Sequence, residues 1–176
     1  MSVVDSVVAA ITPPESEEAR AEARAKAENI AQPGDWLNLI LDHHRAIEAQ
    51  FAALKAAADA NERIAEQEKL AELLTAHAIA EEAAIYPAMA EHHQVGHAEL
   101  AYQEQSAAKM ELGLLERLDP LSEDYHDKLE HIEGAVAHHV YSEEGTWFPE
   151  LAASAPADEQ ARMTERYTEE YSRYLG

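Results

Sequence analysis

The chain has 176 residues, 35 of them Asp or Glu against 13 Lys or Arg, for a formal net charge of −22, and it contains no cysteine. So acidic a surface repels phosphate backbones and anionic lipid headgroups, which argues against nucleic acid and membrane surfaces as partners. The absence of cysteine excludes disulfides, thiolate metal ligands and thiol nucleophiles together.

The length suits one domain with a core of its own. Ala, Leu, Glu, Lys and Gln favour helices, and only six Gly and seven Pro interrupt them, so the fold class expected is all-α. The opening "MSVVDSVVAAITPPESEE" lacks the basic region of a signal peptide, and no apolar stretch approaches membrane-spanning length. A soluble, cytoplasmic protein is expected.

Residues 1–14, ending in Pro13-Pro14, read as a lead, and "ESEEARAEARAKAENIA" (15–31) as a helix whose acidic start suits the helix dipole. Its apolar face is mostly alanine, so residues 1–32 are taken as a lead and helical arm. "QPGD" breaks the helix and offers Asp35 as a cap for the next.

A helix over 36–58 places Leu37, Leu41, His44, Ile47, Phe51 and Leu54 on one stripe at steps of three and four. His43 is rotated away from that stripe. A second helix begins near Asn61, with Ile64, Leu70, Leu73, Leu74, His77, Glu81 and Ile85 inward. Tyr86-Pro87 disturbs its hydrogen-bond ladder, and "EHHQVG" (91–96) reads as the turn. A third helix over 97–118 turns Ala101, Gln105, Ala108, Leu112 and Leu115 inward. After "DPLS", a fourth runs to about Gly145 with Leu129, Ile132, Val136, His139 and Glu143 inward. "ASAPAD" (153–158) breaks the chain before a final amphipathic helix whose Tyr167, Tyr171 and Tyr174 suit packing on the bundle or on a second copy. Short connections favour antiparallel neighbours. The architecture predicted is an up-down-up-down four-helix bundle over 33–152, with an added helix at each end, the last within 153–176.

One sentence is written twice. "HAIAEEAAIYP" (77–87) and "HVYSEEGTWFP" (139–149) both read His, three residues, Glu-Glu, three residues, aromatic, Pro. Residues four apart share a helix face, so His77 projects with Glu81 and His139 with Glu143, both pairs on inward stripes. A carboxylate buried without a partner is very costly, and two of them beside imidazoles make sense around a cation. His44 falls at the matching depth on the first helix. Nitrogen and oxygen donors without sulfur suit iron, manganese or zinc, and bundles build dinuclear carboxylate sites from facing helices. Each copy would supply half of a two-metal pocket. Glu82 and Glu144 are expected in solvent, and Tyr86-Pro87 and Phe148-Pro149 as packing features.

These residues resemble the hemerythrin-like HHE cation-binding domain family. "DHHRAIEAQF" matches its first element at His44, "HAIAEEAAIYP" its second at His77 and Glu81, and "HHVYSEEGTWFP" its fourth at His139 and Glu143. The resemblance covers about 36–151. The third element departs from the pattern: "EQSAAK" places Gln105 where the family has a histidine, with Lys109 four residues on. Glu104, Tyr102 or His97 could compensate, or one position could stay open to water or substrate. Glu48 and Lys109, each one turn beyond its helix's site residue, are expected to pair with each other and orient the ligands.

The resemblance implies iron, with two ions, an iron–manganese pair, zinc or a single ion as the alternatives. It also implies a small diatomic (oxygen or nitric oxide) or peroxide as the molecule handled, whether by an oxidoreductase or by an iron or oxygen sensor or metal-binding module without turnover. A homodimer through the terminal helices completes the expected partners.

Overall fold

Helices occupy nearly all of residues 15–175, the part of the chain that the computed structural model describes; the lead at 1–14 lies outside it. The starts are set by side chains that accept hydrogen bonds from the free N–H groups of a first turn. Ser16 caps α1 (Glu17–Glu28), Asp35 caps α2 (Trp36–Ala56) and Ser122 caps α5 (Glu123–Ser142). The second long helix starts a little earlier than its sequence suggests. Asp59, not Asn61, caps α3 (Ala60–Glu91), its carboxylate accepting from the N–H groups of Asn61 and Glu62. α4 spans Val95–Leu115, α6 Phe148–Ser154 and α7 Ala157–Leu175. Gly34, at φ 80°, makes the turn between α1 and α2, a conformation that glycine adopts without steric cost.

Two apolar clusters are stacked along the bundle. One gathers Leu37, Ile40 and Leu41 of α2, Ala84 and Ile85 of α3, Ala98 and Ala101 of α4, and Trp147, Phe148 and Leu151. The other gathers Ile47, Phe51 and Leu54 of α2, Leu70 and Leu74 of α3, Leu112 and Leu115 of α4, and Leu129, Ile132 and Val136 of α5. Successive helices visit the clusters in opposite order, which is the predicted up-down-up-down arrangement. His44, His77, Glu81, Gln105, His139 and Glu143 all fall between the two sets along their helices. A buried polar layer therefore separates two oily ones. Ile64, placed inward by periodicity, is 45% exposed near the start of α3.

The two prolines of the repeated sentence act differently. α3 continues through Pro87 to Glu91. At Pro149 the missing N–H leaves the Gly145 carbonyl without its helical partner. There the chain widens into a π turn, Glu143–Trp147, and Lys26 of α1 donates to the Gly145 carbonyl at 2.6 Å. α1 thus packs across the π turn. α7 lies along α2 and α3: the backbone N–H of Trp36 donates to Thr164 Oγ1 at 2.9 Å, and the His43 ring stacks on Tyr171 at 3.7 Å. Tyr167 is completely buried, whereas Tyr174 is 47% exposed. Among the described residues no helix is long and apolar enough to cross a membrane.

Candidate metal centre

Four side chains from three segments converge in the polar layer: His44 of α2, His77 and Glu81 of α3, and Glu143 at the head of the π turn. Each offers one ligand atom, and these atoms lie within 4.8 Å of one another. All four residues are buried. Nε2 of His44, Nε2 of His77, Oε1 of Glu81 and Oε2 of Glu143 have no partner in hydrogen-bond geometry, although His44 Nε2 lies 3.3 Å from Glu143 Oε2 and His77 Nε2 lies 3.3 Å from Glu81 Oε2. A single buried polar atom left unpaired costs about 1–3 kcal/mol. Four such atoms on one converging cluster of side chains are what a cation would satisfy. Two imidazole nitrogens and two carboxylate oxygens form a donor set suited to iron, manganese or zinc.

The other nitrogen of each histidine is held from outside. Nδ1 of His44 donates to Glu144 Oε1 at 2.8 Å, and Nδ1 of His77 lies 3.1 Å from the Tyr167 hydroxyl, which also sits 2.7 Å from Nδ1 of His43. Both contacts turn Nε2 inward, as hydrogen-bonded outer partners do in metal sites. Glu144 was expected in solvent; it is instead 1% exposed, because the π turn carries it in behind His44. Its charge is met by Arg24 of α1, which also binds Glu48 at 2.8 Å. The pairing expected between Glu48 and Lys109 does not occur. Arg24 takes Glu48, and Lys109 takes Glu82 at 2.6 Å. No spacing within the bundle motifs could show this, because Arg24 comes from outside them.

His139 and Gln105 lie on the far side of the two carboxylates. Nδ1 of His139 is 2.8 Å from Glu104, and its Nε2 is 3.1 Å from Glu143 Oε1. Gln105 Nε2 donates to Glu81 Oε2 and to the Tyr86 hydroxyl, both at 2.5 Å. The Tyr86 hydroxyl is also 3.0 Å from Glu81 Oε2, 2.9 Å from Glu143 Oε1 and 3.2 Å from His139 Nε2. Tyr86 is therefore part of the polar layer and not only a packing residue. The signal available in the sequence was the mismatch between the two copies. Phe148 holds the equivalent place, has no hydroxyl, and packs edge-on against Trp36 at 5.6 Å. Tyr102 stays outside the layer, donating to the Glu82 carbonyl at 2.9 Å with its ring edge-on to Tyr86. His97 stacks on Trp147 at 5.5 Å, and His92 pairs with Glu159.

The charges in the layer depend on one another. Burial opposes a charge on His44, but the carboxylates of Glu143 and Glu144 outweigh it and raise its pKa to about 9. Burial likewise opposes a charge on His139, and Glu143 and Glu104 overcome it and hold its pKa well above the usual value. His77 goes the other way, because burial and the neighbouring His44 charge keep it neutral. Burial and the proximity of Glu143 push Glu81 up to about 8. Glu143 remains a carboxylate well below the usual range despite its burial, held there by His139 and His44. Protons thus do part of the neutralising that a cation would do.

A cavity of about 770 Å³ opens between α4 and α5 and reaches His77, Gln105 and His139, with Leu74, Leu112, Val136 and Val140 among its walls. A small neutral molecule has room to reach the layer by this route.

An all-helical bundle carrying a buried cluster of two histidines and two glutamates defines the class: a bundle built to bind metal between its helices. The family model described as "Hemerythrin HHE cation binding domain" matches residues 36–166. The chain belongs to that family. Neither a curated protein nor a solved structure matches it.

Proposed function

We propose that the protein is a non-haem iron protein, that His44, His77, Glu81 and Glu143 hold the iron, and that a small oxidising or diatomic molecule reaches it through the cavity between α4 and α5. The observation that carries this reading is the meeting of four buried ligand residues, each of which also has a side-chain atom without a hydrogen-bond partner. Iron bound there would supply a redox-active Lewis acid able to take oxygen, nitric oxide or peroxide as a further ligand. Two carboxylates offset the charge of a divalent ion. Glu144 and Tyr167 hold the two imidazoles with Nε2 turned inward. The Tyr86 hydroxyl lies against Glu81 and Glu143, beside the Gln105 and His139 side chains that line the cavity. The cavity is lined by Leu74, Leu112, Val136 and Val140 together with charged residues such as Glu104, Lys109 and Glu111, and it has room for a small molecule.

A second reading is favoured by the terminal helices. α1 reaches the layer through Arg24 and Glu144, and α7 through Tyr167, so filling the site would tighten elements on the molecular surface. That arrangement suits a sensor or metal-binding module without turnover.

The test is to load the purified protein anaerobically with Fe(II), remove free metal, and count the iron retained. Stoichiometric iron, with a spectrum that changes on adding nitric oxide or hydrogen peroxide, supports the proposal. A protein that retains no iron overturns both readings. Steady consumption of peroxide or nitric oxide separates the enzyme from the sensor.

A further inference from the structure

Building on the proposed metal site, we infer that the centre holds one cation, because the Tyr86 hydroxyl occupies the place between Glu81, Glu143, His139 and residue 105 where a second would sit.

The two sides of the carboxylate pair are not equivalent. On the side of His44 and His77, four side-chain atoms lack a hydrogen-bond partner. On the side of His139 four atoms reach one and the same oxygen, and of the Gln105 amide only Oε1 is left without a partner. The Tyr86 hydroxyl lies 3.0 Å from Glu81 Oε2, 2.9 Å from Glu143 Oε1, 3.2 Å from His139 Nε2 and 2.5 Å from Gln105 Nε2. A phenol can donate one hydrogen bond and accept two. Gln105 Nε2 donates to it, and its own proton goes to one of the acceptors that face it, so the oxygen is engaged on that side. Gln105 reinforces this by spending its second N–H on Glu81 Oε2. As oriented, it turns its amide nitrogen, a donor with no lone pair for a metal, toward Glu81 and Tyr86.

The hydroxyl and the amide fill hydrogen-bonding places of the carboxylates on that side, although, being neutral, they do not supply a cation's charge. Tyr86 is completely buried on a helix that runs on without a break through Pro87, so the phenol is anchored by packing as well as by its polar contacts. Gln105 departs from the family pattern, and the Tyr86 hydroxyl stands beside it where a cation would otherwise be held. The role assigned to Tyr86 is that of a positioning residue. It holds Glu143 Oε1, and it shares Glu81 Oε2 with His77, whose Nε2 lies 3.3 Å from that oxygen.

Mn(II), which is visible by electron paramagnetic resonance, is the probe. The wild-type protein is dialysed to equilibrium against it and the bound ions are counted by mass spectrometry. The inference expects one ion per chain and the spectrum of an isolated ion. Two ions per chain with a coupled spectrum would overturn the inference and leave the metal site standing; no bound ion would overturn the metal site itself. Q105H is expected to gain no second ion, because the phenol still fills the place. The double variant Y86F/Q105H is expected to bind two, with a coupled spectrum. A second ion in Q105H, or only one in a folded double variant, would contradict the role given to Tyr86. Should the double variant fail to fold, the counts for the wild type and for Q105H still decide.

Discussion

Arg24 Nη2 lies 2.9 Å from Oε1 of Glu144, and that same oxygen lies 2.8 Å from Nδ1 of His44. A residue of the first described helix therefore sets the electrostatics behind a histidine at the centre of the bundle. Glu144 is 1% exposed, so its charge depends on these two partners.

Arg24→Ala should destabilise the protein by about 1–3 kcal/mol, less than for a fully buried pair because Arg24 is itself partly open to water. Urea unfolding measures it. Glu144→Gln in the Arg24→Ala background should recover much of the loss, since it removes the charge left stranded. A loss in Arg24→Ala below about 0.5 kcal/mol, within the usual scatter of surface substitutions, would mean that Glu144 does not need the guanidinium.

Tyr167→Phe removes the hydroxyl that meets Nδ1 of both His77 and His43. The ring stays in place, so packing is kept and stability should fall by about 1 kcal/mol. Metal affinity should fall about 10-fold, because His77 loses the contact that aims it. Unchanged affinity by competition with a chelating dye would show that packing alone orients the imidazole.

His77→Ala and Glu143→Ala should each abolish stoichiometric metal binding, and His92→Ala should not, since His92 is paired with Glu159 far from the polar layer. Metal analysis of the three folded variants checks this. Equal retention in all three would remove the basis of the assignment.

Binding should release protons. In the metal-free protein His44 titrates at about 9 and Glu81 at about 8, so near neutral pH both carry a proton that an incoming cation must displace. Glu143 and His77 are already deprotonated there and release none. Affinity should therefore rise with pH between about 6 and 9 and level off above that range. Calorimetry in buffers of different ionisation enthalpy reads the released protons directly. A binding enthalpy independent of buffer would refute the coupling.

The all-α bundle was legible in the sequence because helical periodicity is a local property. Stripes such as Leu37–Leu41–His44–Ile47 can be read without knowing what they face, and caps such as Asp35 and Ser122 are marked by residue type. The stripes put His44, His77, Glu81, His139 and Glu143 at one depth, since buried acids need a partner of opposite charge; the structure brings four of them within 4.8 Å and leaves His139 beside Glu143. What periodicity could not supply was rotation and distance. The π turn at Glu143–Trp147 brings Glu144 inward, while Glu82, the same letter in the other copy, stays near the surface with Lys109. Arg24 and Tyr167 reach the layer from helices outside the repeat. The chain itself determined which elements form and which of their faces are oily. The folded structure alone decided which hydroxyl, guanidinium or carboxylate stands behind each ligand, because those neighbours are distant in sequence and are selected by the packing of whole helices.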